Sequence, residues 1–102
     1  MSNVKKVRVK ILPPFTRDMR TFEDEIEIKT ETSLEEFIVM LEEKGFIDKK
    51  AVLEDDNKLK TNVVIMINGI IIDDLKKKIN ANDRVVIMPL VYGGFISRIS
   101  RL

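Results

Sequence analysis

Two adjacent glycines near the C-terminus, Gly93 and Gly94, are the residues of this chain whose type and spacing most directly suggest chemistry. A glycine pair has no Cβ atoms and little conformational preference, so it cannot hold a fold by itself. It can, however, enter a narrow channel in another protein and present its backbone there. The alternative is an ordinary turn before a last small element, and the dipeptide alone does not distinguish the two.

The chain lacks the side chains that many catalytic and metal sites use. Its 102 residues include no histidine and no cysteine, which excludes an imidazole base, a thiolate nucleophile and the usual zinc ligands. Catalysis would have to rest on carboxylates, lysine, serine, threonine or the single tyrosine, Tyr92. The run Glu54-Asp55-Asp56 lacks the spacing and the glycine of a calcium loop, so we expect a solvated acidic loop and no metal site. An independent enzyme is therefore not favoured, and we expect no cofactor bound by the chain itself.

The composition is that of an ordinary globular domain. Apolar residues make up 44% of the chain and charged residues 34%, and its length is sufficient for one hydrophobic core. The net charge of +1 predicts no strong attraction to nucleic acid or to an anionic membrane. The most apolar stretch, residues 63–72, is about half as long as a membrane span. With no signal peptide recognisable, we expect a cytoplasmic location.

Alternating apolar and charged residues predict two strands in the first third of the chain. Val7, Val9 and Ile11 alternate with basic residues, and Pro13-Pro14 should end this strand because proline cannot continue a ladder. A second strand, over residues 22–30, carries acidic residues on its outer face. Opposite charges on facing positions favour pairing the two strands as an antiparallel hairpin.

A helix over residues 34–44 follows from apolar residues at helical spacing. Ser33 and Glu36 fit a capping box at its start, with the pair one residue earlier as an alternative. Gly45 stands where a left-handed residue is expected to end the helix. Residues 48–60 predict a short turn of helix followed by a loop.

The second half predicts a hairpin, a turn and a final strand. A strand over 63–67 meets Asn68-Gly69, which favours a type I′ turn and a short returning strand at 70–72. Leu75 and Ile79 are the predicted inward anchors of a short helical turn, and residues 80–83 have turn chemistry. The final strand is predicted over 85–88. Pro89 should weaken regular pairing there unless it lies at a sheet edge.

These elements predict an α+β domain in which one main helix packs on a mixed sheet of four to five strands. The predicted core is Val7, Val9, Ile11, Ile26, Ile28, Leu34, Phe37, Ile38, Leu41, Ile65, Ile67, Val85 and Ile87.

The order of motifs in the last third of the chain resembles that of a known family. Members have a strand ending in Val-Asn-Gly, a leucine-anchored turn, a Gly-Asp-x-Val segment, a strand, a proline and a terminal diglycine. The counterparts here are Ile67-Asn68-Gly69, Leu75, Asn82-Asp83-Arg84-Val85, Pro89 and Gly93-Gly94. The series is similar to the small subunit of molybdopterin synthase and to the thiamine-biosynthesis sulfur carrier. It implies a ubiquitin-like β-grasp domain at residues 1–94 with a C-terminal diglycine arm, followed by a tail at 95–102.

The resemblance implies a carrier that acts with partner enzymes. In the family, an adenylating enzyme of the ubiquitin-activating type uses ATP to activate the carboxylate of the last glycine, and sulfur is then installed there as a thiocarboxylate. The carrier delivers this sulfur in the active site of a second enzyme, such as the large subunit of molybdopterin synthase. By this resemblance, Gly94 carries the sulfur and Tyr92 and Gly93 line the arm, while ATP is used by the partner.

One departure from the family concerns residues 95–102. A glycine in an internal peptide bond has no carboxylate to adenylate, so a sulfur carrier of molybdenum or tungsten cofactor biosynthesis would need a protease to release Gly94. The alternative function is a β-grasp module that binds another protein without covalent chemistry.

The residues after Gly94 have a pattern of their own. Phe95, Ile99 and Leu102 lie at helical spacing, with Arg98 and Arg101 opposite. Two turns of helix are not stable alone in water. We therefore expect this segment to fold against the domain or against a partner.

Overall fold

Among the residues that the structure describes, five strands form one mixed sheet, and the longer of two helices packs against one face of it. The computed structural model of the chain describes residues 4–29, 31–55 and 58–90. In chain order the elements are β1 (Val4–Ile11), β2 (Phe22–Lys29), α1 (Leu34–Glu43), α2 (Lys49–Val52), β3 (Val63–Ile67), β4 (Ile70–Ile71) and β5 (Arg84–Pro89). The strand order across the sheet is β2-β1-β5-β3-β4, with β1 and β5 parallel and every other pair antiparallel. The predicted mixed sheet with one main helix is confirmed.

The β1–β2 hairpin has the register that the charges predict. Arg8 faces Glu25 across the ladder, and the neighbouring basic and acidic residues face each other in the same way. Lys6 Nζ lies 3.8 Å from Glu25 Oε1. Both side chains are more than half exposed, so this ion pair adds little to stability. Its contribution is to the choice of partner strand and register.

The start of α1 is a complete capping box. The backbone N–H of Ser33 donates to Glu36 Oε1 (3.0 Å), and the N–H of Glu36 donates to Ser33 Oγ (3.2 Å). The alternative pair is not used, because the Thr32 hydroxyl donates instead to the Lys29 carbonyl (2.6 Å). The Ser33 backbone N–H, followed by its side chain and the Lys78 ammonium, holds the pKa of Glu36 below its ordinary value of 4.5.

The end of α1 is closed by a Schellman motif. Gly45 adopts the left-handed conformation (φ 83°), and its N–H donates to the Glu42 carbonyl (2.9 Å). The N–H of Phe46 donates to the Leu41 carbonyl (3.0 Å). The Phe46 ring then stacks on that of Phe22, with centroids 4.2 Å apart. The helix therefore stops where the sequence predicts, and the chain after it is turned back towards β2.

The helical turn predicted around Leu75 and Ile79 is wrong, although both residues are inward anchors as expected. The Asp74 carboxylate and carbonyl accept from the N–H groups of the next residues and form a tight turn instead. The following chain is extended, and its carbonyls serve the start of α1. The N–H of Leu34 donates to the Lys77 carbonyl (2.8 Å), and the next N–H donates to the Leu75 carbonyl (2.9 Å). Pairing with another element thus outweighed the local helical preference.

Every residue predicted for the core is buried. The cluster also takes in Phe15 from the connection between β1 and β2, and Ile47, Val52 and Leu53 from α2 and the residues on either side of it. Strand alternation points Ile65, Val85 and Ile87 towards α1, so the neighbouring positions on β3 and β5 face the other side of the sheet. Within the part of the chain that the structure describes, no helix is long and apolar enough to cross a membrane.

Candidate functional site

The predicted site residues Tyr92, Gly93 and Gly94 lie outside the residues that the structure describes. What the structure does describe is the strand that leads towards them. β5 lies between β1 and β3 in the sheet and ends at Pro89, with Leu90 as the last described residue. The assignment of Gly94 as the reactive residue therefore stays a prediction, and so does the division between residues 1–94 and 95–102.

At Pro89, the pairing of β5 continues on the β3 side and ends on the β1 side. On the β3 side Pro89 faces Val63, and the N–H of Leu90 still donates to the Asn62 carbonyl (2.8 Å). On the β1 side the last bond runs from the Leu12 N–H to the Ile87 carbonyl (2.9 Å). Because alternate residues of a strand direct their backbone groups to the same side, the missing N–H of Pro89 faces the side where β1 has ended. The proline is accommodated at a local edge inside a central strand.

The start of β5 is fixed by a buried carboxylate. Asp83 Oδ1 accepts from Asn68 Nδ2 (2.9 Å), and its Oδ2 accepts from the Asn80 N–H (2.7 Å). The amide oxygen of Asn68 in turn accepts from the Arg84 N–H (2.9 Å). Asn68 and Asn82 have positive φ (55° and 68°), as the turn chemistry predicts. These hydrogen bonds join two turns that are far apart in the sequence. Together the two turns position the strand that leads towards the glycine pair.

An apolar groove lies on the sheet face away from α1, which we call the open face. Leu12, Met66, Val86 and Met88 supply its apolar side chains, and Lys10, Gly69 and Arg84 complete the lining. Its volume is about 310 Å³. The four apolar side chains are half-buried, and Val64 on the same face is only 8% exposed.

The sequence patterns did not predict this groove. The apolar runs over 63–67 and 85–88 predict strands, but they do not show that the side chains facing away from the helix line a groove. The available signal was the alternation itself, since Met66, Val86 and Met88 occupy the positions that would be polar on a solvated face.

Charged rows lie beside the groove on the open face. The outward residues of β1 are basic, and Arg8 lies directly beside Arg84 of β5 in the parallel register. The outward residues of β2 beyond them are acidic. From β2 to β3 the open face thus changes from acidic to basic to apolar. A partner surface that matches this face would have to match that sequence of properties.

The acidic run beginning at Glu54 provides no metal site among the residues described. Glu54 and Asp55 are exposed, and Asp56 lies outside the described residues. Within residues 4–29, 31–55 and 58–90, no three carboxylates are grouped so as to hold a metal ion.

Comparison with known proteins gives one family and several solved structures. The sequence pattern of the ThiS family matches residues 11–94. No curated protein matches the chain at a significant level.

The solved structures confirm the ubiquitin-like β-grasp fold. The solution structure of the HVO 2177 protein from Haloferax volcanii superposes with a TM-score of 0.68 at 18% identity, covering 92% of this chain and 91% of that one. Small archaeal modifier protein 1 from H. volcanii gives 0.67 at 16% identity, covering 85% and 99%. Urm1 from Trypanosoma brucei gives 0.63 at 16% identity, covering 92% and 100%. At these identities the similarity establishes the fold alone.

Proposed function

Because the chain belongs to the ThiS family of ubiquitin-like sulfur carriers, we propose that it carries sulfur as a thiocarboxylate on Gly94. The observation that supports this most directly is the extent of the family match. It begins in β1 and ends on Gly94 itself, and it leaves out residues 95–102. The family pattern thus stops at the residue that the chemistry requires.

The carrier chemistry needs a free carboxylate on Gly94. Hydrolysis of the Gly94–Phe95 peptide bond by a processing protease supplies it, since water adds across the bond to give a carboxylate and an amine. A ubiquitin-activating-type enzyme then transfers AMP from ATP to the carboxylate and releases pyrophosphate. Sulfide from a sulfur donor then attacks the acyl carbon, the bond to AMP breaks, and a thiocarboxylate remains at Gly94. The chain's own residues provide the slender arm and the docking surface, which is why no histidine or cysteine is required of it.

The sulfur acceptor that we propose is a precursor of the molybdenum or tungsten cofactor, bound by a partner that resembles the large subunit of molybdopterin synthase. The basis for this choice is the series from Ile67-Asn68-Gly69 to Pro89 and the glycine pair. The described structure fits the delivery step because β5 is held by β3 up to Leu90. Only three residues, 91–93, then separate Leu90 from the reactive glycine. The arm is short, and the partner must therefore come close to the open face.

The test compares three forms of the chain with the adenylating enzyme from the same source. The forms are the full chain, a form that ends at Gly94, and a control that ends at Tyr92 and lacks the glycine pair. We expect ATP–pyrophosphate exchange with the form ending at Gly94 alone. With a sulfur donor added, its intact mass should rise by about 16 Da as oxygen is replaced by sulfur. Absence of exchange with the form ending at Gly94 would contradict the proposal, and equal exchange by all three forms would show that Gly94 is not the acceptor.

Non-covalent binding to another protein is the second candidate, and the continuation of the chain beyond Gly94 is what favours it. In that case removal of residues 95–102 weakens partner binding and enables no chemistry. The mass of the protein isolated from its native source distinguishes the two candidates. A species ending at Gly94 supports the carrier, and a chain that retains residues 95–102 supports the binding module.

A further inference from the structure

We propose that the outer edge of β2 is a docking site for an extended, basic segment of another protein, which pairs with it as an additional strand. β2 is the outermost strand on its side of the sheet, and its eight residues all pair with β1. Over the ranges 4–29, 31–55 and 58–90, no strand pairs with its other side. Strand addition at such an edge binds peptides because backbone hydrogen bonds supply affinity and alternate side chains supply specificity.

The hydrogen bonds of β1 show which backbone groups of β2 reach the outer edge. The N–H of Arg8 donates to the carbonyl of Asp83, which immediately precedes β5 (3.0 Å). The even-numbered residues of β1 therefore direct their backbone groups towards β5, and the odd-numbered residues direct theirs towards β2. Only alternate facing pairs of an antiparallel ladder exchange hydrogen bonds. In the observed register, the residues of β2 that point their N–H and C=O groups away from β1 are Glu23, Glu25 and Glu27.

Two backbone groups at this edge already have partners within the chain. The Lys29 carbonyl accepts from the Thr32 hydroxyl (2.6 Å), which closes the edge at that end. The Glu25 N–H donates to Oδ1 of its neighbour Asp24 (2.7 Å). The second bond is exposed to solvent, so a donor on an incoming strand can take its place. The stretch open to pairing spans residues 23–27, about 17 Å.

The side chains of the same three glutamates determine which segment fits. They alternate with the buried residues Ile26 and Ile28, so they lie on the open face, and all three are exposed. Neighbouring carboxylates in this row are about 7 Å apart along the strand. Opposite charges at facing positions stabilise strand pairing. A segment with lysine or arginine at every second position therefore matches both the backbone groups and the charges of the edge.

The same charges disfavour a second copy of this chain as the occupant. Pairing β2 with the β2 strand of another copy places one row of carboxylates beside an identical row, and like charges at facing positions are destabilising. Asp24 adds a negative charge on the other side of the strand, where it is exposed next to the buried Ile26. Charged side chains on an edge strand prevent indiscriminate pairing. This edge thus discriminates against acidic and neutral strands and favours a basic one.

The edge is distinct from the parts of the domain that the carrier function uses. β1 lies between β2 and β5 in the sheet, so a segment bound to β2 leaves the open-face groove and the end of β5 accessible. The inference therefore does not rest on the chemistry proposed for Gly94. Its test uses the full chain with neither ATP nor an adenylating enzyme present.

An NMR titration of the full chain with a synthetic peptide tests the proposal. The probe is a peptide of alternating lysine and threonine with blocked ends, and threonine is chosen because it favours extended strands. We expect the backbone N–H resonances of Glu23 and Glu27 to shift and their hydrogen exchange to slow. Those of Ile70 and Ile71, at the opposite edge of the sheet, should stay unchanged. A peptide of the same composition with its lysines grouped together should bind clearly more weakly.

Two triple variants test the row of carboxylates. The first neutralises the row and keeps the backbone edge, and it should weaken binding of the alternating peptide by about tenfold. The matched control removes the same charge from exposed positions elsewhere and should bind within about twofold of wild type, because distant exposed charges are screened. The first variant is Glu23→Gln, Glu25→Gln, Glu27→Gln, and the control is Glu43→Gln, Glu54→Gln, Asp73→Asn.

A third comparison tests the backbone pairing. Glu27→Pro removes an N–H that points away from β1, so the β1–β2 ladder loses no hydrogen bond. Glu27→Gln removes the same charge and keeps the N–H. The proline variant should bind the alternating peptide more weakly than the glutamine variant.

Four results would overturn the proposal. Equal binding by the two triple variants would mean that the row is not recognised, and equal binding of the two peptides would indicate charge attraction without strand pairing. Shifts centred on Met66 and Met88 would place the peptide in the open-face groove instead. Slow exchange at Glu23 and Glu27 without peptide, lost on dilution, would make a second copy the occupant.

Discussion

Replacing Asp83 with alanine removes the acceptor that joins the β3–β4 turn to the start of β5. The side chain is 8% exposed, and its carboxylate accepts from the Asn80 N–H at 2.7 Å and from Asn68 Nδ2 at 2.9 Å. A hydrogen bond to a charged group contributes about 1.5–3 kcal/mol, and leaving a buried donor without a partner costs a similar amount. The Asn68 amide is exposed and regains water, so its loss is smaller. We expect the free energy of unfolding to fall by about 2–3 kcal/mol.

Urea denaturation at neutral pH and thermal unfolding both measure this loss. For a domain of this size, the fall corresponds to a melting temperature lower by about 10–20 °C. Asp74→Ala is the matched control, because Asp74 also accepts from a backbone N–H two residues on (2.9 Å), but at an exposed position. Its cost should stay below about 1 kcal/mol.

Asp83→Asn makes the test more specific. Both carboxylate oxygens of Asp83 face donors, so an amide must direct its NH₂ group at the donor of Asn80 or of Asn68. We expect this variant to lose most of what Asp83→Ala loses. The account of this network would be refuted if the free energy of unfolding of Asp83→Ala lay within about 0.5 kcal/mol of that of Asp74→Ala. It would also be refuted if Asp83→Asn were as stable as wild type.

Further predictions concern α1. Ser33 holds the pKa of Glu36 below 4.5 in the folded chain. The ionised Glu36 carboxylate therefore contributes stability that is present above pH 4.5 and is lost as the pH falls through the lower pKa of the folded chain. The stability difference between wild type and Glu36→Gln, measured by urea denaturation, should therefore shrink as the pH falls below 4.5, and a constant difference would contradict this. Gly45→Ala should cost about 1 kcal/mol from its positive φ alone, although nothing lies within 4 Å of the added Cβ; unchanged stability would argue against the Schellman geometry. Phe37 is fully buried, so Phe37→Ala should cost about 3–5 kcal/mol, whereas the partly exposed Val39→Ala should cost clearly less.

The features that the sequence predicted correctly are those decided by neighbours in the chain. Ser33 and Glu36 are three residues apart, and their capping box needs only the first turn of the helix. Asn68-Gly69 favours one turn type because both positions need positive φ, and the observed values are 55° and 83°. The core was predictable for a similar reason, since helix and strand periods assign each apolar residue to one side.

The features that the sequence missed depend on contacts between distant segments. The chain around Leu75 and Lys77 has residues that suit a helical turn, but the N–H groups at the start of α1, some forty residues earlier, need its carbonyls. Pairing around Pro89 depends on where β1 ends, which the residues near Pro89 do not reveal. The open-face groove was missed because residues from the β1, β3 and β5 segments line it together, and the pattern of one strand does not show that their side chains meet. The role of Gly94 stays a prediction that the biochemical test above is designed to decide.

The parallel contact between β1 and β5 has a mechanical consequence. Backbone bonds link the two strands along their shared length, from Lys6–Asn82 and Arg8–Asp83 to Leu12–Ile87. In parallel neighbours, the free end of the first strand and the free end of the last point in opposite directions. A pull applied at both ends therefore loads these bonds together in shear and does not peel them one by one. An enzyme that grips the C-terminal arm, with the domain held near its N-terminus, would exert tension along the strongest direction of the sheet, and the domain should stay folded while its arm is drawn in.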